Sequence, residues 1–586
     1  MAIDLTEIKK SIWYKSYPQE IKDQMETYAL PEVTVHRMLE SSAKYYPKTT
    51  ALLYEPENLL LSYRELCDLS ERFAAGLQGK FGVKKGDRIA ICSRNYPEFV
   101  MAFYGISMTG GVYVACNPLL IREEIEYQLK DSGAKLLITS EDFVPLAKEL
   151  LDGKKTGLEK VIVFERDKEL KEPLLGRGGQ SYAPPLFKYE PLSRPPIDPC
   201  KDLVGIIYTS GTTGYPKGVM ITHFNVVSSV ITYQTAYTGV LPRLDEDGYL
   251  KCTNHKKDLA GEWEFPHRFG IDSVLVIIPW THMMGFLAML NYPVMAALTI
   301  YPTIVFEVDS MLEMVRRWKI GFAGGPAQLM TTIMGRPDAD EIDLSPIRAW
   351  TTGAGSTPVA LIERFMSKIG GFITEGYALT ESTCGSSKVF CNRHALRKWG
   401  SCGPPLPYAV IKIVDAEKGE KEMPLGEEGE LIQNGPTVTM GYWNKPEDTR
   451  DAYRNGWLYT GDLAKMDEDG FIHITGRKKE LIKYKGYNIA PRMLEEILYK
   501  HPAVLMCSVL GKKDADAGEL PIAFVALKEG VKAETGEIME FVNGQVAPYK
   551  KLRDIRLIHA IPLNATGKVN RLKLQAELDA EVAAAQ

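Results

Sequence analysis

The chain of 586 residues is 45% hydrophobic and 25% charged, which is an ordinary globular composition, and its length predicts several structural units of roughly 150 residues each. A net charge of −5 excludes the basic surface that nucleic-acid binding requires. Nine scattered cysteines without a C-x-x-C pair, no signal-peptide pattern and no apolar run of about 20 residues predict a cytoplasmic protein with free thiols and without a transmembrane segment.

The first half of the chain alternates predicted helices with short apolar strands. The segment SYRELCDLSERFAAGL has the apolar spacing of an amphipathic helix, and Ser62 with Glu65 forms a capping-box pattern at its start. Strands are predicted in DRIAICS, KLLITS and LEKVIVFE. This alternation predicts a mostly parallel sheet that is covered by helices on both faces.

A polar loop follows the predicted strand LVGIIY, after a Pro-, Gly- and Lys-rich surface connection at 166–200. The loop lies within YTSGTTGYPKG (208–218), whose glycines let backbone N–H groups approach an anion closely. Its hydroxyl groups can donate hydrogen bonds and Lys217 supplies positive charge, which suits a polyphosphate. The alternative is a polar surface loop with a turn at Tyr215-Pro216.

This loop does not match a Walker phosphate-binding loop. A Walker loop leads from Gly-Lys-Ser/Thr directly into a helix. Here Gly218 and the strand-like run GVMITH follow Lys217, and a helix is predicted only from about Asn225. The sequence therefore predicts a phosphate-binding loop of another kind.

Three further segments carry chemistry that a nucleotide site needs. EGYALTES (375–382) offers the aromatic ring of Tyr377, the hydroxyl of Thr380 and the carboxylate of Glu381, which could hold Mg²⁺; a helix start is the alternative. The turn YTGD contains Asp462, which could instead only stabilise its own turn. NATGKVNR places Lys568 near the end of the chain.

The pattern of predicted elements changes in the last ~110 residues. They are predicted to form a small α+β unit that is large enough to be a separate domain. Strands are predicted in FIHITG, VLMCSVLG and PIAFVALKEG, and helices in APRMLEEILYKHP and GEIMEFVNGQV. The junction lies in the basic run GRKKELIKYKG (476–486), for which a solvated hairpin is the structural alternative.

Taken together, YTSGTTGYPKG, GYALTES, YTGD, GRKKELIKYKG and TGK resemble the signatures of the adenylate-forming superfamily of AMP-dependent synthetases and ligases, in the family's order. The chain is most similar to the acyl-CoA synthetase branch, and its N-terminal IWYKSYP looks like bacterial fatty-acid and aryl-acid CoA ligases. The resemblance implies an α/β fold with a large ATP- and acyl-binding domain of αβ-layered sheets at residues 1–478. A small, mobile α+β catalytic domain at residues 479–586 would rotate about a hinge.

The resemblance also implies an AMP-forming carboxylic acid–CoA ligase that uses ATP, Mg²⁺ and CoA. A carboxylate would attack the α-phosphate of ATP, giving an acyl-adenylate and pyrophosphate, and the CoA thiol would then displace AMP. This order is physically reasonable because AMP is a far better leaving group than oxide. Since the first step brings anions together, positive charge must lie where charge builds in the transition state.

The resemblance assigns a set of residues to ATP and AMP. They are Thr209, Ser210, Gly211, Thr212, Thr213, Gly214, Lys217, Gly355, Ser356, Thr357, Glu375, Gly376, Tyr377, Thr380, Asp462, Arg477 and Lys568. In this assignment the residues from Thr209 to Lys217 grip the β- and γ-phosphates, and Tyr377 stacks on adenine. Asp462 accepts both ribose hydroxyls, with Arg477 beside it.

The catalytic assignments by resemblance are Lys568, Lys483, Thr380, Glu381 and His282. Lys568 would bridge the carboxylate and the α-phosphate during adenylation, and Glu381 would hold Mg²⁺ while Thr380 touches the phosphates. The small domain would pivot near Lys479 and present Lys483 for thioester formation, with Gly486 leaving room for the pantetheine arm. This is hinge-type domain alternation.

The acyl pocket is assigned to His282, Met283, Met284, Phe286, Ser356 and Ala378. No acidic residue lies between Pro279 and Phe286, so an amino acid is a poor candidate substrate. His282 would gate the pocket or would be a hydrogen-bonded core histidine. Ala378 stands where many relatives have glycine and acetate-specific ones have tryptophan, which predicts a medium- to long-chain fatty, aromatic or alicyclic acid.

Several alternatives stay open at this level. The stretch 238–272 is predicted to be a surface insertion beside the acyl-site entrance, because Cys252, His255 and His267 lack a clear fourth zinc ligand. The acyl group could pass to a carrier protein instead of CoA, or the chain could be an inactive nucleotide-binding protein. A monomer or a homodimer and a peripheral membrane contact are all compatible with the sequence.

Overall fold

The computed structural model describes residues 5–165, 174–175, 193–209, 216–254, 259, 264–353, 357–564 and 568–585. In chain order, the strands are β1 Thr50–Tyr54, β2 Leu59–Ser62, β3 Arg88–Cys92, β4 Val112–Ala115, β5 Leu136–Ser140, β6 Lys160–Glu165, β7 Leu174–Leu175, β8 Leu203–Tyr208, β9 Gly218–Thr222, β10 Arg243–Leu244, β11 Leu250–Lys251, β12 Ser273–Val276, β13 Thr299–Pro302, β14 Phe322–Gly325, β15 Ala349–Thr352, β16 Phe372–Tyr377, β17 Ser387–Lys388, β18 Val410–Val414, β19 Gly429–Asn434, β20 Tyr453–Arg454, β21 Trp457–Met466, β22 Ile472–Arg477, β23 Ile482–Tyr484, β24 Tyr487–Ile489, β25 Val504–Asp514, β26 Gly518–Leu527 and β27 Asp554–Leu557.

The α-helices, in the same order, are α1 Leu5–Lys10, α2 Gln19–Met25, α3 His36–Tyr45, α4 Tyr63–Phe81, α5 Pro97–Met108, α6 Arg122–Ser132, α7 Val144–Asp152, α8 His223–Thr238, α9 Met283–Phe286, α10 Tyr292–Met295, α11 Val308–Trp318, α12 Ala327–Met334, α13 Val359–Met366, α14 Pro446–Ala452, α15 Pro491–Leu498, α16 Thr535–Asn543 and α17 Arg571–Ala585. A π-helical turn at Leu287–Asn291 joins α9 to α10. None of the described helices is long and apolar enough to cross a membrane.

Two large sheets form the first part of the fold. The seven-stranded sheet has the order β7-β6-β5-β3-β4-β8-β9, and the eight-stranded sheet has the order β17-β16-β15-β14-β12-β13-β1-β2. Pairs between the inner strands are parallel, and antiparallel strands β7, β9, β17 and β2 form the edges. The predicted mostly parallel, helix-covered architecture is therefore confirmed for this region.

The predicted helix starts owe their positions to local capping. Ser62 and Glu65 form the predicted capping box of α4, and Gly82 ends the helix with a left-handed φ of 69°. At α8, Thr222 and Asn225 form a second box, so the helix begins at His223, slightly before the predicted start. Strand β9 thus passes into α8 without a loop.

A third sheet, of antiparallel strands, covers residues 410–477. Its order is β18-β19-β21-β20, and β22 pairs with β21. The sequence analysis placed β22 at the start of the small domain, but its hydrogen bonds belong to this sheet of the large domain. The pairing partners lie far apart in the chain, which the local apolar pattern cannot reveal.

The small C-terminal domain is built on a sheet of its own. Strands β24-β23-β26-β25 are antiparallel, β27 adds to β26 in parallel, and β25 with β26 forms a long hairpin. Helices α15 and α16 contribute Leu494, Leu498 and Ile538 to its core. A turn of 3-10 helix, Lys478–Glu480, links β22 to this sheet, and the boundary predicted after residue 478 lies in that turn.

The N-terminal segment and the β10–β11 hairpin both pack against the large domain. Tyr17, after α1, donates a hydrogen bond to the carbonyl of Pro405 at 2.8 Å. The hairpin of β10 and β11 lies against α3, where Lys44 pairs with Asp245 at 2.6 Å. Within the 238–272 stretch, β10 and β11 form a surface hairpin, whereas Phe265, His267 and Phe269 are buried, so the expected surface insertion is limited to the hairpin. The relation of the stretch to the acyl-site entrance stays a prediction.

Candidate active site

The predicted nucleotide and acyl segments follow the carboxyl ends of parallel strands, where α/β sheets bind ligands. Strand β8 leads into the polar loop, β15 leads into TTGAGSTP, and β16 leads into the segment with Thr380 and Glu381. Several predicted residues lie outside the described part of the chain, namely Ser210, Gly211, Thr212, Thr213, Gly214, Gly355 and Ser356.

The described ends of the polar loop are joined by an antiparallel strand pair. Tyr208 of β8 faces Gly218 of β9, and the N–H of Thr209 donates to the carbonyl of Lys217 at 3.0 Å. A strand follows the loop as predicted, so it is not a Walker loop. The ammonium of Lys217 pairs with Asp448 and lies 5.0 Å from the ring centre of Tyr442.

Glu381 is held by a segment that sequence reasoning missed. The hydroxyl of Tyr442 donates to Oε1 of Glu381 at 2.8 Å, and the N–H of Thr439 donates to the Glu381 carbonyl at 3.0 Å. The same segment bonds to the strand after the polar loop, because the N–H of Trp443 donates to the Gly218 carbonyl at 2.7 Å. Residues 439–443, called the clasp segment below, thus tie Glu381 to the base of the loop.

Asp462 forms a second polar centre. It is 3% exposed, and its carboxylate accepts a hydrogen bond from the Tyr377 hydroxyl at 2.6 Å and pairs with Nε of Arg477 at 2.9 Å. Asp462 and Arg477 are direct partners in the β21–β22 pairing. Burial raises the pKa of Asp462, and the charge of Arg477 opposes that rise. The structure places Arg477 beside Asp462, and the ribose and adenine roles stay predictions.

Lys568 of the small domain lies in the same electrostatic environment as these large-domain groups. Burial and the charge of Arg477 lower its pKa, whereas Asp462 and Glu381 act in the opposite direction. Lys568 in turn contributes to lowering the pKa of His282, whose main cause is burial. Lys568 is therefore within electrostatic range of Asp462, Glu381 and His282.

His282 makes a structural hydrogen bond, of the kind that the sequence analysis kept as the alternative to a gating role. Its Nδ1 accepts the N–H of Met284 at 3.3 Å and caps α9, so the proton of the neutral ring lies on Nε2. Burial lowers its pKa to about 4, which keeps the ring neutral at pH 7. Gly285 is required beside it, because a Cβ there would lie 2.1 Å from the Pro279 carbonyl oxygen.

The predicted acyl-pocket residues differ in their exposure. Met284 is half-buried, and Ala378, directly after β16, is exposed. Met283 is buried, and the ring of Phe286 packs in the core at 4.9 Å from that of Phe103. The packing role of Phe286 is thus visible, and its contact with a substrate stays a prediction.

Glu375 is buried, and its carboxylate accepts a hydrogen bond from the N–H of Gly400 at 3.1 Å. Burial raises its pKa to about 7. Thr357 bonds through its hydroxyl to Thr352 at the end of β15, at 2.9 Å. These contacts fix the ends of β15 and β16 beside each other.

A buried lysine near this point was also missed. Lys388 of β17 is 4% exposed, lies opposite Gly376 and donates to the Thr351 hydroxyl at 3.0 Å. The signal in the sequence is a single lysine inside the otherwise uncharged run CGSSKVFC. Such a residue is unusual because lysine is almost never fully buried unless it is paired.

The segment predicted to serve CoA is an exposed hairpin. Lys483 of β23 and the turn glycine Gly486 are exposed, as is Lys479 in the preceding 3-10 turn. Gly486 has φ of +84°, and a Cβ built there meets no atom within 4 Å. The Lys483–Gly486 tip is therefore open to solvent, whereas Lys568 is half-buried.

Among the described residues, no group of three or more His, Cys, Asp and Glu side chains is placed to hold a metal ion. His267 instead shares a 2.5 Å hydrogen bond with Tyr292 through Nδ1. His255 lies outside the described residues. A magnesium site at Glu381 would thus depend on phosphate oxygens for its remaining ligands.

Comparison with known families identifies two matching sequence profiles. The profile of the AMP-binding enzyme family matches residues 39–443, and that of the AMP-binding enzyme C-terminal domain matches residues 493–568. The two profiles correspond to the large and small domains of the fold.

Full-length relatives carry the names of CoA ligases. The chain is 32% identical to a long-chain-fatty-acid–CoA ligase of Bacillus subtilis, over 96% of this chain and 98% of the relative. It is 31% identical to 4-coumarate–CoA ligase 4 of Arabidopsis thaliana, over 91% of this chain and 88% of the relative.

Solved structures share the fold. The o-succinylbenzoate CoA synthetase of Bacillus subtilis, in complex with its acyl-adenylate intermediate, has a TM-score of 0.73 at 26% identity, over 93% of this chain and 99% of that structure. The anthranilate CoA ligase AuaEII has a TM-score of 0.81 at 24% identity, over 96% and 99% of the two chains.

Proposed function

This chain belongs to the AMP-binding enzyme family and is an AMP-forming acid–CoA ligase, and from this premise we propose how its residues divide the work. The observation that supports this division is that Asp462 is held by Tyr377 and Arg477 and Glu381 by Tyr442, while Lys568 of the small domain is within electrostatic range of both carboxylates. In this proposal Lys568 is the cation that brings an ATP phosphate and the acid's carboxylate together.

In the adenylation step, Lys568 would hold the attacking carboxylate near the α-phosphate and reduce the repulsion between the two anions. Lys217 and the polar loop would hold the departing pyrophosphate. Lys217 pairs with Asp448 in the structure. When ATP binds, Lys217 would exchange this carboxylate for a phosphate group, to which it makes a stronger charge-assisted hydrogen bond. Asp462 would accept the ribose hydroxyls while Arg477 keeps it ionised.

Mg²⁺ fits this arrangement at Glu381. Tyr442 occupies one oxygen of that carboxylate, and the other oxygen has no hydrogen-bond partner among the residues that the structure describes. A single carboxylate beside a phosphate-binding loop matches the preference of Mg²⁺ for few carboxylates plus phosphate oxygens. The ion would neutralise charge on the phosphates, and Tyr442 would orient Glu381 toward it.

For thioester formation, we propose that the small domain rotates about Lys479 and replaces Lys568 with the Lys483–Gly486 tip. The solvent exposure of that tip, which lies far in sequence from the half-buried Lys568, supports the alternation. His282 is neutral because of its lowered pKa, so it would act as a wall or gate of the acyl pocket and not as a counter-ion for the carboxylate.

The acid is proposed to be larger than acetate: a medium- to long-chain fatty, aromatic or alicyclic acid. The exposed methyl of Ala378 supports this, because a tryptophan there would close the pocket. Pyrophosphate release should be measured with acetate, butyrate, octanoate, palmitate, benzoate and cyclohexanecarboxylate. We expect turnover of at least one acid larger than butyrate; acetate as the sole good substrate would refute the argument.

Omitting CoA from the same assay tests the acceptor. An acid–CoA ligase should release AMP catalytically only when CoA is present. A single turnover of adenylate that CoA does not accelerate would favour a carrier protein as the acceptor. No nucleotide turnover with any acid would indicate a nucleotide-binding protein without catalysis.

A further inference from the structure

Lys388 places a positive charge inside the large domain, beside the predicted acyl site. It is 4% exposed, and the β16–β17 pairing sets it opposite Gly376, two residues before Ala378. Because Gly376 has no side chain, the ammonium can lie over it: a Cβ on Gly376 would be 3.5 Å from Nζ of Lys388. The charge therefore lies next to the strand end that leads into the acyl wall.

The charge is only partly compensated. The ammonium has three donor hydrogens, of which one reaches the Thr351 hydroxyl at 3.0 Å. In the described part of the chain, no carboxylate lies within ion-pair distance of it and no second acceptor is bonded to it. The rings of Tyr233 and Tyr237, at 4.8 and 5.4 Å from Nζ, supply cation–π attraction. A buried cation of this kind is costly unless an anion completes it.

The groups around Lys388 favour an anionic ligand. The hydroxyls of Tyr233 and Tyr237 lie 3.0 Å apart and hydrogen-bond to each other and to Thr351. Thr351 precedes Thr352, whose hydroxyl is bonded to Thr357 of the segment assigned to the acyl site. A buried ammonium surrounded by hydroxyl groups, which can turn their protons toward an anion, is suited to a carboxylate.

We propose that Lys388 binds a second anionic group on the acid, so that the enzyme activates dicarboxylic acids in preference to monocarboxylic acids of the same carbon skeleton. This inference rests on the proposed function. One carboxylate would react at Lys568, and the other would pair with Lys388 at the far end of the pocket. A monocarboxylic acid would leave the buried cation without a counter-ion, and losing such a pair is much costlier than losing a surface one.

The first test compares matched acids on the wild-type enzyme: hexanoate with adipate, benzoate with benzene-1,3-dicarboxylate, and cyclohexanecarboxylate with cyclohexane-1,3-dicarboxylate. CoA-dependent AMP release gives kcat/KM for each. We expect the dicarboxylic acid to be favoured at least about tenfold in one or more pairs. Preference for the monocarboxylic acid in every pair would overturn the inference and leave the proposed function intact, whereas no turnover of any acid would overturn both.

The second test uses Lys388→Met, which keeps the length of the side chain and removes its charge. We expect kcat/KM for the favoured dicarboxylic acid to fall about a hundredfold while that for its monocarboxylic partner changes less than threefold or rises. Lys388→Arg should retain part of the preference. Lys412→Met, at a half-buried lysine of β18 that pairs with Glu422 at 3.4 Å, controls for general destabilisation. An equal loss for both acids in Lys388→Met, with normal ATP binding, would make Lys388 a structural residue and overturn the inference.

The pH profile gives a readout that a structural role would not move. Burial lowers the pKa of Lys388 to about 8, so the preference should be lost as pH rises through about 8 and should keep its full size below it. The titratable groups that face Lys388 are Glu375, Cys384, Cys391, Cys402, Tyr233 and Tyr237. Burial raises the pKa of each thiol to about 11 or 12 and also raises the pKa of both tyrosines. Among these groups, Glu375, with its pKa raised to about 7, is the one that titrates near neutral pH. Lys388→Met should abolish the alkaline loss; its persistence in that variant would overturn the inference.

Discussion

Lys568 carries a positive charge into a pocket that already contains Arg477, and the repulsion contributes to lowering its pKa. Such a charge is tolerated because Asp462 and Glu381 oppose the effect, and an added anion would stabilise it further. Replacing Lys568 by alanine should slow adenylate formation about a hundred- to a thousandfold, the usual loss when one preorganised electrostatic group is removed. The measurement is pyrophosphate release in a single turnover.

The same variant should still convert a supplied acyl-adenylate and CoA into thioester at close to the wild-type rate. Lys573→Ala, at an exposed lysine of α17, is the matched control and should leave both half-reactions unchanged. Equal loss in both half-reactions of Lys568→Ala would show that the lysine supports the fold of the small domain and not one step.

At the residue scale, the sequence predicted best where a short motif carries the functional residues at neighbouring positions. Arg477 was expected beside Asp462, and the two form an ion pair in the structure; the role of Lys568 in adenylation stays a prediction. Tyr442 and Lys388 were not expected, because each reaches its partner through long-range pairing. Their local context is an aromatic turn and a weakly polar strand, which are common in any protein.

At the element scale, the clasp segment joins Glu381 to the strand that follows the polar loop. Its residue Tyr442 is 8% exposed and donates to Glu381 at 2.8 Å, while neighbouring residues bond to β9. Tyr442→Phe would leave the packing intact and free Glu381 to rotate. We expect a loss of about 1.5 kcal/mol, or about tenfold in kcat/KM for Mg·ATP, which is the low end of the range for one hydrogen bond to a charged group.

Tyr459→Phe is the matched control for Tyr442→Phe. Its hydroxyl also donates one hydrogen bond, to the carbonyl of Gly419 at 3.0 Å, on the same antiparallel sheet. The two variants should lose similar amounts of thermal stability, and only Tyr442→Phe should require more Mg²⁺ for half-maximal rate. Identical magnesium titrations for both variants would contradict the proposed role of the clasp segment.

Helices and strands were predictable where the spacing of apolar residues and the helix-capping residues point to the same element, as at α4 and in the run from β8 to α8. The antiparallel sheet at residues 410–477 was not separated in advance. Its strands are joined through turns, and β22 ends only two residues before Lys479, the predicted hinge residue. The local apolar pattern of a strand does not reveal its pairing partner, so only the hydrogen bonds show which sheet β22 belongs to.

For the whole molecule, the proposed alternation predicts that glycines in the small domain are not equivalent. Gly486 and Gly530 both have left-handed φ values, +84° and +74°, and neither would bring a Cβ within 4 Å of another atom. Alanine at either position should therefore cost a similar amount of stability, about 1 kcal/mol. Only Gly486→Ala should slow thioester formation, by about tenfold or more, because it adds a methyl group where the pantetheine arm is proposed to pass.

Stopped-flow measurement of thioester formation from preformed acyl-adenylate separates the two variants. Pyrophosphate release should be unchanged in both. A thioester rate that falls equally in Gly486→Ala and Gly530→Ala would place the effect in the stability of the small domain, and the proposed path of CoA would have to be abandoned.

The pairing of Asp462 with Arg477 has a consequence for the timing of the cycle. Arg477 is the last residue of β22, and the turn that contains the proposed pivot begins at the next residue. The carboxylate proposed to bind ribose is therefore joined through one side chain to the start of the hinge. Linkage between two equilibria is reciprocal: if one domain orientation favours AMP, bound AMP favours that orientation by the same free energy. We infer that departure of AMP and the return rotation of the small domain are coupled equilibria, so that accumulated AMP would restrain the enzyme from beginning its next turnover.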